Sequence, residues 1–201
     1  MKRTMEILVT AFGPFAGRSE NASSLALIGL KRAFPKIRTR ILPVDSVIAP
    51  ARLKQALRLI RPDALILLGE AAGSKTIRLE TTAWNQLDFK IPDIAGRHPA
   101  PRAICPGSPP IHRSTLPLKQ IHRRLESNGH EVTLSNNPGR YLCNQVFYHA
   151  LEFIGIHCIA CPAGFIHLPL AGDCPTERIV DALGHVIHTL NPPPPLGGPR
   201  A

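Results

Sequence analysis

The sequence predicts an α/β fold, a three-layer α/β/α sandwich built on a mostly parallel, twisted central sheet. Short apolar segments typical of strands alternate with longer segments whose apolar residues recur on one helix face. This alternation favours a layered α/β architecture. One segment, 64–68, is apolar throughout and is followed by Gly69. Continuous apolar runs suit strands that are covered on both faces, as they are in a parallel sheet.

The first half of the chain is predicted to contain three strands separated by two helices. The strands are expected at 6–10, 40–44 and 64–69. The first helix is expected to contain Leu25, Ile28 and Leu30, and the apolar stripe of the second comprises Leu53, Leu57 and Ile60. Residues suited to N-caps precede both helices and a proline ends each. The candidate caps are Asn21, Ser23 or Ser24 and then Asp45 or Ser46, and the prolines are Pro35 and Pro62.

The alternation breaks between Ser74 and Leu116, where prolines are frequent. Residues 77–84 are strand-like, but most of the remainder is irregular. We expect an inserted hairpin or loop region around 74–116, folded against the end of the sheet. Long loops in compact domains are often functional.

The second half of the chain returns to alternating elements. Helices are expected at 117–128, from 142 to about 154, and at 176–190, and strands at 131–135 and at 157–161, the last leading into 164–169. We expect residues 1–190 to form a single domain, because this length suits one core. Residues 191–201 include four consecutive prolines and are expected to be a disordered tail.

Charge and cysteine content narrow the class of protein. The net charge is +10, from 24 Lys and Arg against 14 Asp and Glu, which is compatible with a nucleic-acid partner. The basic residues are dispersed, so a solvated basic surface is the favoured interpretation, with neither nucleic acid nor membrane as a partner. No apolar run approaches the ~20 residues that span a bilayer. Five cysteines at uneven spacing suit a reducing compartment, and we expect a cytoplasmic protein.

Residues 134–144 have the pattern of a strand end, a tight turn and a helix start. Asn137-Pro138-Gly139 is turn chemistry, and Cys143 follows in the first helical turn. At that position, unpaired backbone N–H groups and the helix dipole favour a thiolate, the reactive form of cysteine. The alternative interpretation of Cys143 is a small buried apolar residue.

Chemically useful residues are expected at the carboxyl ends of the predicted strands, where open α/β sheets bind ligands. A thiol peptidase requires a thiolate, an imidazole that moves the proton, and a group that orients the imidazole. Cys143, His167 at a strand end, and the carboxylate of Glu80 are candidates for these roles. Glu80 is equally compatible with an ordinary surface residue of a strand. Other histidines have ordinary surface interpretations; they are His112, His122, His130, His149, His185 and His188.

The spacing of Cys158 and Cys161 matches a C-x-x-C motif. A zinc or redox role would require a second pair or a helix start, whereas this pair falls in a predicted strand. No phosphate-binding or dinucleotide-binding glycine motif is present. We therefore expect neither a metal nor another cofactor.

Seven segments in the correct order resemble one known family over about residues 6–190. They are Phe12-Gly13-Pro14-Phe15-Ala16-Gly17 with Asn21, Gly69-Glu70-Ala71-Ala72-Gly73, Glu80 with Ala83 and Asn85, Lys90-Ile91-Pro92-Asp93, Ser114-Thr115-Leu116-Pro117, Ser135-Asn136 through Cys143-Asn144, and Gly164-Phe165-Ile166-His167-Leu168-Pro169. They resemble F-x-P-F-G-G, G-Q-A-G-G, E-x-x-A-x-N, R-I-P-D, S-T-L-P, S-N-x-x-G-x-[FY]-x-C-N and G-F-I-H-x-P of pyroglutamyl-peptidase I (pyrrolidone-carboxylate peptidase), a family of cysteine peptidases.

The resemblance implies an omega peptidase that removes an N-terminal pyroglutamyl residue through a thioester. It implies a catalytic triad of Cys143 as nucleophile, His167 as proton carrier and Glu80 as the group that orients His167. The substrate-binding residues that it implies are Phe12, Phe15, Asn21, Glu70, Lys90 and Tyr141. It also implies a homo-oligomer, either a dimer or a tetramer.

Several positions depart from the family pattern. Glu70 stands where the family has Gln, Lys90 where it has Arg, and Asn137-Pro138 where Thr-Ala is usual. An arginine-to-lysine change keeps the charge but loses the planar bidentate fork. These departures motivate an alternative hypothesis, in which a non-catalytic or altered-specificity relative binds N-terminally blocked peptides.

Overall fold

A six-stranded sheet with helices on both faces forms the centre of the computed structural model, which describes residues 5–191. The strands of this sheet are β1 (Ile7–Phe12), β2 (Arg38–Leu42), β3 (Ala64–Glu70), β4 (Ile77–Glu80), β7 (Val132–Ser135) and β8 (Ala163–Leu168), and β5 (Thr82–Trp84) and β6 (Ile111–Arg113) form a separate antiparallel pair. The helices are α1 (Ala22–Ala33), α2 (Ile48–Ile60), α3 (Leu118–Ser127), α4 (Leu142–Ile156) and α5 (Thr176–Leu190).

The strand order is β2-β1-β3-β8-β4-β7, and all neighbours are parallel except β4 and β8. Successive residues of a strand point to opposite faces, so each central strand supplies two cores. Leu65 and Leu67 of β3 pack on the side of α2 and α4, whereas Ile66 and Leu68 pack on the side of α1, α3 and α5. The predicted α/β/α sandwich with a mostly parallel sheet is confirmed.

Local sequence signals account for several helix boundaries. Asn21 caps α1, because its Oδ1 accepts hydrogen bonds from the backbone N–H and the hydroxyl of Ser23. Asp45 Oδ1 accepts hydrogen bonds from the N–H groups of Val47 and Ile48, 2.8 Å away in each case, at the start of α2. Gly129, with φ of 77°, follows α3 as expected of a residue that ends a helix.

The inserted region is smaller than the sequence predicted. Residues 77–84 are not one strand: β4 lies within the central sheet, and the chain then leaves the sheet at Thr81. The next residues form β5, which pairs with β6 across a long irregular connection. The inserted region therefore contains an antiparallel strand pair instead of a hairpin with a short turn, and it begins after Glu80 instead of at Ser74.

The strand predicted at 157–161 is wrong. The helical pattern of α4 continues to Ile156, and the following residues end the helix. Cys158 adopts a left-handed conformation with φ of 49°, and the N–H of Ile159 donates to the carbonyl of Ile154 over 3.0 Å. Cys158 and Cys161 thus lie in a loop, where Cys158 is exposed and Cys161 is buried.

Two predictions concern the ends of the chain and its relation to membranes. Of the predicted tail 191–201, residues 192–201 lie outside the described residues. Between residues 5 and 191, no helix has both the length and the apolar character needed to cross a bilayer.

Candidate active site

Glu80 and His167 form a buried pair at one end of the central sheet. They lie on the neighbouring antiparallel strands β4 and β8, where Glu80 is opposite Phe165 and His167 is opposite Arg78. His167 Nδ1 is 2.8 Å from Glu80 Oε1, and the Glu80 side chain has no exposed surface. A carboxylate bound at Nδ1 fixes the ring and its tautomer, which leaves Nε2 for a partner.

Arg78 contacts the same carboxylate oxygen as His167, and it was not among the residues predicted for the site. Its Nη2 lies 3.0 Å from Glu80 Oε1, and it also donates to Ser135 Oγ over 2.8 Å and to the carbonyl of Asn137 over 2.6 Å. Arg78 thereby joins the buried acid to the turn that precedes α4. The alternation of a strand places residues 78 and 80 on one face, which is the signal that could have identified it.

Cys143 is the second residue of α4, within the turn whose N–H groups have no partner inside the helix. The turn before it forms as predicted: Gly139 has φ of 79°, and its N–H donates to Asn137 Oδ1 over 3.3 Å. The sulfur lies over Gly69, where an added Cβ would be 2.9 Å from Cys143 Sγ. Gly69 is the β3 partner of His167. The thiol and the His167–Glu80 pair are therefore at the same sheet edge.

The electrostatics of Cys143 differ from the expectation that its position favours the free thiolate. Burial, with a further contribution from the carboxylates of Glu80 and Glu70, raises the pKa of the Cys143 thiol to about 12. The N–H of the same residue acts in the opposite direction but does not compensate. Within residues 5–191, no hydrogen bond joins Cys143 to His167. A thiolate at neutral pH thus requires transfer of the proton to a nearby base.

An aromatic cluster lies beside Cys143. The ring of Tyr141 is 5.6 Å from that of Phe15 and 4.3 Å from that of Phe89, between centroids, and its hydroxyl donates to the carbonyl of Pro92. Burial, followed by the charges of Asp93 and Cys143, raises the pKa of Tyr141 to about 12. Phe89 was not predicted as a member of this cluster.

Phe12 and Phe15 occupy different environments. Phe15 is half-buried against the aromatic cluster, whereas Phe12 ends β1 and is buried in the core between the sheet, α2 and α4. Of these two predicted substrate-binding residues, Phe15 is thus the one with a partly exposed side chain.

Glu70 does not present an uncompensated charge. Its Oε1 is 2.6 Å from Arg18 Nη2, and its Oε2 accepts a hydrogen bond from the N–H of Ala22, the first residue of α1. A carboxylate at a helix N-terminus is favoured by the helix dipole. The replacement of Gln by Glu at this position is therefore accommodated by one cation and one helix end.

Two other predicted substrate-binding residues have contacts of their own. Asn21 is buried and its Oδ1 is engaged in capping α1. Lys90 is exposed and its Nζ pairs with Asp88 Oδ2 over 2.7 Å. Within residues 5–191, Lys90 makes no cation–π contact with the aromatic cluster, although Lys90 and Tyr141 line the same cavity.

Two asparagines of the motifs form hydrogen bonds with the backbone of the surrounding loops. Asn144 is buried and links α4 to the inserted region: its Oδ1 accepts from Trp84 N–H, and its Nδ2 donates to the carbonyls of Trp84 and Gln86. Asn85 Nδ2 likewise donates to the carbonyls of Cys105 and Ser108. These positioning contacts could not be predicted from the sequence, because hydrogen bonds to distant backbone leave no local pattern.

Two histidines that were expected at the surface are not simple surface residues. His130 is only 7% exposed. Burial, with a contribution from Lys54, lowers the pKa of His149 to about 4, and its Nδ1 lies 3.6 Å from Cys105 Sγ.

The model of the pyroglutamyl peptidase family matches residues 5–186. The chain belongs to the pyroglutamyl peptidase family. It is 36% identical over 183 residues to the pyrrolidone-carboxylate peptidase of Pyrococcus furiosus, a match that covers 90% of this chain and 86% of the relative. It is 37% identical over 166 residues to pyrrolidone-carboxylate peptidase 1 of Ralstonia nicotianae, covering 81% and 77%.

Solved structures of pyroglutamyl peptidases share the fold. The pyroglutamyl peptidase I of Bacillus amyloliquefaciens superposes with a TM-score of 0.87 at 27% identity, covering 94% of this chain and 96% of that one. The pyrrolidone carboxyl peptidase of Pyrococcus furiosus gives 0.85 at 32% identity, covering 92% and 98%. Almost the full length of each pyroglutamyl peptidase is therefore represented in this chain.

Proposed function

We propose that this pyroglutamyl peptidase family member is a cysteine omega-peptidase that hydrolyses the N-terminal pyroglutamyl residue from peptides. The observation that carries the proposal is the buried Glu80–His167 pair at 2.8 Å, beside a thiol in the first turn of α4. Relatives that match most of the chain are named pyrrolidone-carboxylate peptidases, which supports the same substrate.

In the proposed mechanism, Cys143 is the nucleophile and His167 the base. His167 Nε2 takes the thiol proton while the sulfur attacks the carbonyl carbon that follows the pyroglutamyl ring. The C–N bond to the next residue then breaks, and His167 returns the proton to the leaving amine. A pyroglutamyl thioester remains on Cys143. His167 next removes a proton from water, the resulting hydroxide attacks the thioester, and the sulfur leaves and regains a proton.

The raised pKa of Cys143 is compatible with this scheme. A thiol kept neutral by burial is not a free nucleophile, so it becomes reactive when an imidazole held by Glu80 accepts its proton. Hydrogen bonds between catalytic groups are often long in a free enzyme and shorten when substrate binds. The N–H groups at the start of α4 are placed to stabilise the oxyanion that forms next to Cys143.

Selection of the lactam is proposed to rest on shape and on hydrogen bonds. The pyroglutamyl ring is flat and uncharged, so it suits the aromatic surface of Phe15 and Tyr141. A site that pairs the ring N–H and C=O discriminates strongly against ligands without them, because its own polar groups would be left unpaired. Proline lacks the ring carbonyl and is expected to be a poor substrate.

Hydrolysis of a fluorogenic pyroglutamyl amide tests the proposal. We expect turnover by the wild type, a loss of about 10⁴-fold or more in kcat for Cys143→Ala, and no turnover of the matching prolyl amide. Cys158→Ala serves as the matched control, since Cys158 is exposed in a loop away from α4's first turn. Calorimetric binding of the amide without any turnover by folded wild type would instead support the alternative, a non-catalytic relative.

Two further properties are part of the proposal. We expect a cytoplasmic protein, in keeping with five cysteines that are all free in the structure. We also expect a homo-oligomer, either a dimer or a tetramer, because the family resemblance implies one. Light scattering coupled to size-exclusion chromatography measures the assembly state directly.

A further inference from the structure

Three side chains of metal-binding type meet where the turn after α3 packs against α5. They are His130, Asp181 and His185, and one ligand atom from each lies within 4.8 Å of the others. His130 lies just before the start of β7. The Glu80–His167 pair lies near the other end of that strand, because Glu80 is opposite Ser135, the last residue of β7. The cluster is therefore separate from the candidate active site and plays no part in the proposed peptidase function.

The ligand atoms of His130 and Asp181 are about as close together as two ligand atoms bound to one metal ion. His130 Nε2 lies 3.1 Å from Asp181 Oδ2, but the pair lacks hydrogen-bond geometry, and Nε2 has no other hydrogen-bond partner among residues 5–191. The His130 side chain is 5% exposed, so this nitrogen is also cut off from water. A buried ring nitrogen without a partner is costly. Two ligands bound to one tetrahedral zinc ion at ~2.0–2.1 Å are themselves about 3.3 Å apart.

The other two ligands have the spacing of a helical chelate. Asp181 and His185 are one turn apart on α5, and residues four positions apart share a helix face. His185 Nε2 is 3.9 Å from the same Oδ2, and the Nδ1 of His185 is buried without a hydrogen bond to any residue between 5 and 191. The nearby cation Arg178 is engaged elsewhere, since its Nη2 donates to the carbonyl of Gly129 over 2.7 Å.

We propose that His130, Asp181 and His185 bind a divalent zinc ion. Two imidazoles and one carboxylate are a ligand set that binds zinc in proteins, and soft thiolates are not required. Asp181 is 67% exposed, which leaves room for water to complete a tetrahedral site. The ion connects the turn at His130, which leads into the edge strand β7, to the middle of α5. Its role is to fasten α5 and the α3–β7 connection together.

Zinc titration of the full-length chain tests this site. Calorimetry is carried out at pH 7.5 in the Cys143→Ala background, which removes the catalytic thiol as a competing ligand. We expect one zinc site per chain that is absent from Asp181→Asn and from His185→Ala. Because an ion that binds only the folded state stabilises it, a hundredfold excess of zinc over Kd is expected to raise Tm by about 5–10 °C. Neither variant is expected to show this shift.

The pair His122–Glu126 provides the matched control. It has the same four-residue helical spacing, with Nδ1 and Oε2 2.9 Å apart, but the described part of the chain supplies no third ligand. His122→Ala is expected to keep the zinc site and the shift in Tm. Melting curves without zinc establish that each variant folds, and the exposed position of Asp181 makes Asp181→Asn the safer of the two. Equal zinc stoichiometry and equal Tm shifts in the background protein and both variants would overturn the proposal.

Discussion

At the scale of single residues, the charge of Glu80 depends on two partners. Its Oε1 contacts both His167 and Arg78, and its Oε2 is buried without a hydrogen bond to any described residue. A buried charge with few partners is stable only while those partners remain in place. Arg78 is therefore a positioning residue, which acts on the imidazole through the carboxylate.

Replacement of Arg78 by Met is expected to lower kcat about 10- to 100-fold, with little change in KM. The reason is that a hydrogen bond to a charged group contributes about 1.5–3 kcal/mol, which converts to that factor in rate. Arg78→Lys restores a cation and is expected to recover part of kcat, which a merely structural contact would not do. Steady-state kinetics on a pyroglutamyl amide measure both constants. An increase in KM alone would show that Arg78 contacts substrate instead.

The absence of a side chain at Gly69 leaves room for the Cys143 thiol. A Cβ at this position would lie 2.7 Å from Phe165 Cζ and 2.9 Å from Cys143 Sγ, closer than real contacts allow. Gly69→Ala is expected to lower kcat/KM by about 10²-fold, since small displacements of a nucleophile have effects of that size. Gly155→Ala is the control, because a Cβ there meets nothing within 4 Å. Full activity in Gly69→Ala would contradict the position assigned to Cys143.

At the scale of elements, a carboxylate cluster fastens the loop after Phe89 to the start of α2. Asp93 accepts hydrogen bonds from the N–H and hydroxyl of Ser46 and from the N–H groups of Ala95 and Arg97. Arg97 Nη1 is 2.8 Å from Asp45 Oδ2. Tyr141 donates a hydrogen bond to the carbonyl of Pro92, the residue before Asp93. The contacts of Asp93 therefore also support the aromatic cluster beside Cys143.

These contacts predict how stability depends on pH. Burial acts to raise the pKa of Asp93, but the hydrogen bonds that it accepts from Ser46, Arg97 and Ala95 act in the opposite direction and together outweigh burial. The net pKa of Asp93 is therefore below its usual value. A group with a lowered folded-state pKa stabilises the fold above its unfolded pKa of about 3.9, and this contribution is lost as the pH falls through the folded value.

Asp93→Asn is accordingly expected to destabilise the protein by about 1–3 kcal/mol at pH 7 and to flatten the dependence of its stability on pH below pH 4. Urea unfolding between pH 2 and 7 measures both effects. Asp173→Asn is the matched control, because Asp173 is exposed. If both variants had the same pH dependence as the wild type, the cluster would not have the role assigned to it.

At the scale of the whole molecule, the sequence was sufficient for the architecture but not for all of its connections. Apolar runs and cap residues predicted the layers, and α5 lies at the predicted 176–190. The position of β4 between β8 and β7 was not predictable, because pairing between strands distant in the chain leaves no local signal. The strand expected at 157–161 was wrong because short apolar runs fit a helix end as well as a strand.

The residues of the site that belong to sequence motifs could be predicted, whereas those outside the motifs could not. Motifs placed Glu80, Cys143 and His167 in order along the chain, and the structure brings them to one sheet edge. Arg78 and Phe89 lie outside those motif positions and were missed. The raised pKa of Cys143 was not predictable either, since it depends on burial and on the carboxylates of Glu80 and Glu70, which lie on strands distant from α4 in the sequence.

The central claim is that Cys143 is an activated thiol within a lactam-binding site. Mass spectrometry of the five cysteines after brief treatment with a pyroglutamyl chloromethyl ketone at pH 7.5 tests it most directly, with 2-pyrrolidone as the competing lactam. We predict that Cys143 is labelled first, that 2-pyrrolidone but not proline protects it, and that His167→Asn abolishes this priority. First labelling of Cys158 or Cys161, or labelling of Cys143 that is unaffected by both the lactam and His167→Asn, would contradict the account.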